Sequence, residues 1–253
     1  MGVFRNSLGG LGLLAGLACP ASAIAQPVQT ESRQRSLAES PQFRTKTSTS
    51  MTAAQMVPVD SLQPALREKV KKVLSQPSLV THGAAEEFSA IPKLYRWLLE
   101  HPDRAAMAWQ RVGVPCQPIN DRGNGRFSWS DEQGSEIVWF PIADSAAARI
   151  WYAEGRVRPG ALLPTIPVQA VVVMRHTYNE TETASKIRHE VDVFCHADSR
   201  AANMVYRLFG TATDRMAEQA AQQLLMFFGT ISQYMAQHPE QTQKLLAPAK
   251  SPH

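Results

Sequence analysis

Cysteine is scarce. Three residues in a chain of 253 cannot make a disulfide scaffold. Beyond the N-terminus there is no uninterrupted apolar run of about 20 residues, the length a helix needs to cross a bilayer. One-signed charge is lacking too. Lys and Arg number 26 against 22 Asp and Glu, a balance of +4 that is too slight to argue for a nucleic-acid partner. The common catalytic and ligating signatures are also missing. There is no C-x-x-C, zinc spacing, G-x-S-x-G, H-E-x-x-H or P-loop, so neither metal nor cofactor is expected. Gly123-Asn124-Gly125 lacks the third glycine and the strand-to-helix setting of a dinucleotide site and reads as a turn. Glu86-Glu87 and Asp131-Glu132 are adjacent pairs whose members face opposite ways on a strand, so neither makes a carboxylate dyad. What remains is a globular composition, 44% hydrophobic and 19% charged.

The first 25 residues read as an export signal. Arg5 gives a positive start, Leu8 to Ala18 a short apolar run, and Ala23-Ile24-Ala25 a small-x-small cleavage pattern. The chain is therefore expected to be periplasmic or secreted. Removal of the signal takes Cys19 with it and leaves Cys116 and Cys195 in an oxidising compartment. A Cys116–Cys195 disulfide and two buried thiols both fit, since a bridge depends on a separation that spacing does not give. Residues 26–60 are polar and without period, the composition of a disordered tether. One domain is expected over 61–240, with a flexible tail at 241–253.

The domain opens with helical spacing at Leu62, Leu66, Val70, Val73 and Leu74, predicting a helix over 61–76 capped by Asp60 or Ser61. Its basic run, Arg67, Lys69, Lys71 and Lys72, suits a solvated face. It also suits transient contact with an anionic membrane surface. A short strand near Thr81–Phe88 precedes two helices, one from Pro92 to His101 with Leu94, Trp97 and Leu98 as its stripe. The other is capped by Asp103, with Ala105, Trp109 and Val112 as its stripe. From Val114 to His196 the period falls to 2, and strands follow at hairpin spacing: Gly125–Ser130, Ser135–Phe140, Arg149–Val157, Val168–Tyr178 and Lys186–His196. Such a sheet should be antiparallel. After a short helix ending at Gly210, a long one runs from Thr213 or Asp214 to about Gln237. It carries a stripe of Met216, Ala220, Leu224, Phe227, Ile231 and Tyr234 or Met235, and that stripe needs a long apolar partner.

A strand, two short helices, an antiparallel run of strands and one long C-terminal helix make an α+β chain. By that order the chain resembles the START-related superfamily, also called SRPBCC or Bet v 1-like. The phrases Leu99-Glu100-His101-Pro102-Asp103-Arg104, Asp121-Arg122-Gly123 and Phe127-Ser128-Trp129-Ser130-Asp131 also resemble a family of bacterial exported proteins of unknown function, which brings no activity with it. The superfamily resemblance implies a helix-grip fold: a curved antiparallel sheet of six to seven strands holding the long helix around an apolar cavity. Members use that cavity for lipids, sterols, polyketides and other hydrophobic ligands. Some members are enzymes and some only interaction modules.

Strand parity says which side chains face such a cavity. With 179–185 as the loop, residues whose numbers sum to about 363–365 lie opposite one another. One face then carries Val168, Ala170, Val172, Met174 and His176 with Ile187, His189, Val191, Val193 and Cys195, and this more apolar face should meet the long helix. The other carries Val171, Val173, Arg175, Arg188, Glu190, Asp192 and Phe194, and its charges read as cross-strand pairs on a wet surface, each contributing about 0.2–1 kcal/mol. His176 and His189 are the polar members of the apolar face. They suit a ligand headgroup or a proton transfer at a cavity mouth, and equally a solvated hairpin end. Trp151, Ala153, Gly155 and Val157 share a face, where small residues would leave room for a ligand. The expected ligand-binding set is Trp151, Val172, Met174, His176, His189, Val191, Val193, Ala220, Leu224 and Phe227, with no catalytic residue assigned. The leading expectation is an exported carrier or sensor of a hydrophobic small molecule, a lipid above all. A cyclase- or hydrolase-like enzyme using His176 and His189 is the alternative, and a ligand-free interaction module the third.

Overall fold

Alternation of apolar and polar residues builds one sheet, and the computed structural model shows where each face of it goes. Residues 53–158, 165–178, 185–198 and 212–247 are described. The signal segment 1–25, most of the 26–60 tether, the 179–184 turn and the helix expected before Gly210 lie outside them. A 3-10 turn at Val59–Ser61 leads to α1 (Pro64–Ser75), β1 (Leu79–Ala90), α2 (Pro92–Glu100) and α3 (Pro102–Arg111). Strands β2 (Asn120–Asp121), β3 (Phe127–Ser130), β4 (Glu136–Asp144), β5 (Ala148–Val157), β6 (Ile166–Thr177) and β7 (Ser185–Ala197) follow. The chain then enters α4 (Ala212–Gln237) and α5 (Pro239–Leu246). Every pairing is antiparallel, in the order β1-β7-β6-β5-β4-β3-β2. The architecture is α+β, an open curved sheet with a long C-terminal helix, consistent with a helix-grip arrangement.

Register follows parity. Val168 lies opposite Ala197 and His176 opposite His189, so the paired numbers sum to 365. The inner face holds Val172, Met174, Ile187, Val191 and Val193, buried with Ala220, Ala221, Leu224, Leu225, Phe228 and Ile231 of α4. The helix lies chiefly along β1, an edge strand, and less along β7. The indole of Trp109 on α3 donates to the Phe227 carbonyl at 2.9 Å and ties the two helices together.

The structure departs from the expectations at several points. The outer face is not wet over most of its length, because α1 lies on it: Val70 and Val73 bury against Ile150, Tyr152, Val171, Val173 and Phe194, joined by Ala53, Val57 and Leu62. Burying those residues recruits the end of the supposed tether, so the fold begins by Ala53 rather than 61. At the other end α5 replaces the first part of the flexible tail, since Leu245 is buried and Arg111 Nη1 donates to the carbonyls of Lys244, Leu245 and Ala247. Helix starts differ too. Gln63 and His101 occupy the N-cap positions of α1 and α3 without side-chain caps, because Pro64 and Pro102 set the first turns. Finally, Cys195 is a free thiol, so a Cys116–Cys195 bridge is not formed. Burial pushes that thiol up to about 12. Cys116 is disulfide-bonded.

The small residues of β5 do not open space as expected. A Cβ on Gly155 would fall 2.0 Å from the Glu136 carbonyl oxygen, so the backbone of β4 fills that position. Ala153 and Val157 lie in a cluster with Trp129, Ile137 and Ala170.

Candidate functional site

The two histidines of the inner face are neither solvated nor at an open mouth. His176 and His189 lie directly opposite each other on β6 and β7, 3% and 0% exposed. They form the centre of a ring cluster. The His176 ring stacks on Tyr178 (centroids 5.4 Å, interplanar angle 5°) and meets Tyr95 edge-on at 5.7 Å. His189 meets Phe88 at 4.8 Å and Tyr95 at 5.8 Å.

Three further features hold His189. The Tyr95 hydroxyl lies 3.1 Å from Nδ1. Glu86 Oε2 lies 3.6 Å from Nε2. At that distance the carboxylate makes no hydrogen bond to Nε2, which is buried and unbonded, so the Tyr95 hydroxyl is the ring's one hydrogen-bond partner among the described residues. The third feature is Gly229 on α4, where a Cβ would come within 3.1 Å of His189 Cε1 and 3.3 Å of Phe88 Cε1. Glycine inside a helix costs about 1 kcal/mol relative to alanine, and here it lets the helix close over the imidazole.

Glu86 reaches the inner face through a bulge. Gly83 pairs with Val191 but Glu86 pairs with His189, so β1 spends one extra residue on the step. The extra residue inverts parity, turning Glu86 and Phe88 inwards and Glu87 outwards to Arg188 at 3.7 Å. Glu86 is also held by the Gln222 side-chain amide, which donates to Oε1, while Gln222 Oε1 accepts from the Ala84 amide at 3.1 Å.

His176 has no such support. Both of its ring nitrogens are buried without a hydrogen bond. Burial first, then the positive charge of Arg96, pulls its pKa down from 6.5 to about 4. The unfolded chain therefore takes up this proton well before the folded one. Stability from this group is complete above pH 6.5 and is lost as pH falls towards 4, a loss of about 3 kcal/mol. His176→Phe should flatten the acid limb by about that amount in urea titrations between pH 4 and 7. An unchanged slope would mean that the ring is solvated.

Most of the expected binding set comes together. Trp151, Val172, Met174, Val191, Val193, Ala220, Leu224 and Phe227 belong to one inner cluster, and Trp151 stacks on Phe228 at 6.3 Å with the rings 6° from parallel. Sequence reasoning missed Tyr95, Glu86, Tyr178 and Gly229. Tyr95 had a signal: on α2 the buried residues are Pro92, Tyr95, Leu98 and Leu99, a stripe one residue out of phase with Leu94 and Trp97, which are half-buried. A separate depression of about 420 Å3 lies on the outer side, lined by Lys72, Glu154, Arg156, Gln169, His196 and other residues of those strands. Among the described residues no cluster of His, Cys, Asp and Glu could hold a metal ion, and no helix is long and apolar enough to cross a membrane.

No protein-family model matches the chain, and no curated protein matches it. Solved structures are similar at low identity. A conserved protein from Geobacillus kaustophilus is 12% identical, with 63% of this chain and 96% of that one covered at a TM-score of 0.39. Ara h 8.0201 is 13% identical, with 62% and 97% covered at 0.34. Truncated norcoclaurine synthase from Thalictrum flavum is 13% identical, with 58% and 92% covered at 0.32.

Proposed function

We propose that the chain is an exported carrier or sensor of a hydrophobic small molecule, a lipid above all, held between the inner face of the sheet and α4. The observation that carries this reading is His176, an imidazole buried among apolar and aromatic side chains with neither nitrogen bonded. A buried polar group without a partner costs about 1–3 kcal/mol, and a ligand that supplies the partner recovers it. Affinity would come from apolar burial at roughly 25 cal/mol per Å2, with His176 and His189 orienting the polar end. At a membrane, α1 offers charge and little else. Its apolar stripe is used on the sheet, Arg67 donates to the carbonyls of Asp60 and Leu62, and Lys69 pairs with Glu154 at 2.7 Å. Lys71 and Lys72 are left exposed for contact with an anionic surface.

A second reading, an acid–base enzyme, is favoured by one observation. His189 sits between the Tyr95 hydroxyl and the Glu86 carboxylate, a line along which a proton can be relayed. Burial holds the Tyr95 phenol well above its usual pKa, so it stays a proton donor.

Native mass spectrometry on the chain purified gently from its own host tests the first reading. The expected result is a reproducible extra mass that extraction identifies as an apolar molecule, and a clean apo mass with no dye binding overturns it. The double variant His176→Ala, His189→Ala separates the two. A carrier keeps its affinity to within about tenfold, whereas an acid–base enzyme loses turnover by about 100-fold or more.

A further inference from the structure

Unbonded polar groups on the inner face are not confined to His176. Nε of Arg149 and Nε1 of Trp151 are also buried without a hydrogen bond. The three side chains are neighbours. Arg149 and Trp151, two apart on β5, lie opposite Met174 and Val172 and so share the inner face. His176 is two residues beyond Met174, which makes it the diagonal neighbour of Arg149, at about 7–8 Å. The Arg149 guanidinium carbon lies 5.8 Å from the centre of the Trp151 ring, and Arg149 is only 7% exposed.

Among the described residues the charge around this patch is matched. Arg149 Nη1 lies 3.1 Å from Asp144 Oδ2 and 3.8 Å from Glu100 Oε1, and Arg96 Nη2 lies 3.8 Å from the same Asp144 oxygen. Two guanidinium groups face two carboxylates, and His176 is neutral at pH 7. The patch therefore offers N–H donors from Arg149, Trp151 and His176 without net positive charge. A carbonyl oxygen has two lone pairs to accept from them. A free carboxylate would instead bring an unmatched charge beside Asp144 and Glu100, in a place where burial makes it costly.

Resting on the carrier reading, we propose that Arg149, Trp151 and His176 form a subsite for an uncharged carbonyl at the polar end of the ligand, as in a ketone, an ester or an amide. The protein then discriminates against free carboxylic acids of the same chain length.

Four probes with matched tails test it on the full exported chain at pH 8: methyl palmitate, 2-heptadecanone, palmitate and hexadecane, each competing with a bound fluorescent dye. The ester and the ketone should bind about tenfold tighter than palmitate and than hexadecane. Trp151→Phe keeps an aromatic ring, though a smaller one, and removes the N–H. It should weaken the ester about threefold to tenfold more than it weakens hexadecane, with circular dichroism reporting an intact fold. Palmitate binding as tightly as the ester, or hexadecane doing so, overturns the subsite and leaves the carrier standing. Binding of none of the four overturns both.

Discussion

Replacing Val70 and Val73 together by aspartate is expected to unfold the protein at room temperature. Both valines are fully buried between α1 and the outer face of the sheet. Each one contributes about 1.5–3 kcal/mol by leaving water, and a carboxylate in its place adds the cost of an unpaired buried charge. The pair should cost more than about 5 kcal/mol, much of the 5–15 kcal/mol by which domains are stable. Freed of α1, the sheet would expose Ile150, Tyr152, Val171, Val173 and Phe194 as one apolar patch. Patches of that kind drive aggregation. The measurement is thermal unfolding by circular dichroism, together with sedimentation. A double variant that melts within about 5 °C of the parent and sediments as the parent does would show that α1 is an appendage. Substitution of Lys71 and Lys72, on the opposite side of the same helix, should leave stability within about 0.5 kcal/mol.

The contrast between the two faces shows how far the sequence could be read. The hairpin of β6 and β7 was legible because its alternation is strict: Val172, Met174 and His176 on one parity, Val171, Val173 and Arg175 on the other. Counting from the turn then set the register to within one step, and the inner face followed. The cover of the outer face was not legible. An amphipathic stripe says that α1 needs an apolar partner, yet nothing in Val70 or Val73 says which one. Glu86 was hidden for a different reason. Parity along β1 turns inwards on the bulge between Gly83 and Glu86, and the bulge exists only in the pairing with β7. Tyr95 was closer to hand, because its spacing to Leu98 and Leu99 is helical. The position is fully buried, and its hydroxyl is bonded to His189.

Asp192→Ala is expected to cost about 3–5 kcal/mol, far beyond the 0.2–1 kcal/mol of a pair on a wet strand. The Asp192 carboxylate is fully buried on the outer face. Arg175 Nη2 donates to Oδ2 at 2.7 Å, and His82 Nδ1 lies 3.1 Å from Oδ1. Its removal leaves the Arg175 guanidinium, 16% exposed, with Glu190 at 2.9 Å as its remaining partner. The pH dependence identifies the cause. Although desolvation by itself would raise the pKa of Asp192, the bonds from His82 and Arg175 hold it below the usual 3.8. The stability it gives is thus present above pH 3.8 and lost as pH falls through the folded value. His82 runs the other way. Its bond to Asp192 raises its pKa above 6.5, so its share is complete below pH 6.5 and is lost as pH rises through the raised value. The gap between parent and Asp192→Ala should therefore be widest between pH 4 and 6.5, narrowing in acid and again towards alkaline pH. Urea unfolding at half-unit steps from pH 3 to 9 reads it directly. His82→Ala should remove the alkaline narrowing and keep the acid one, because the Arg175 bond survives. A gap that stayed flat across the range would mean that Asp192 stabilises by filling space, with no contribution from its charge.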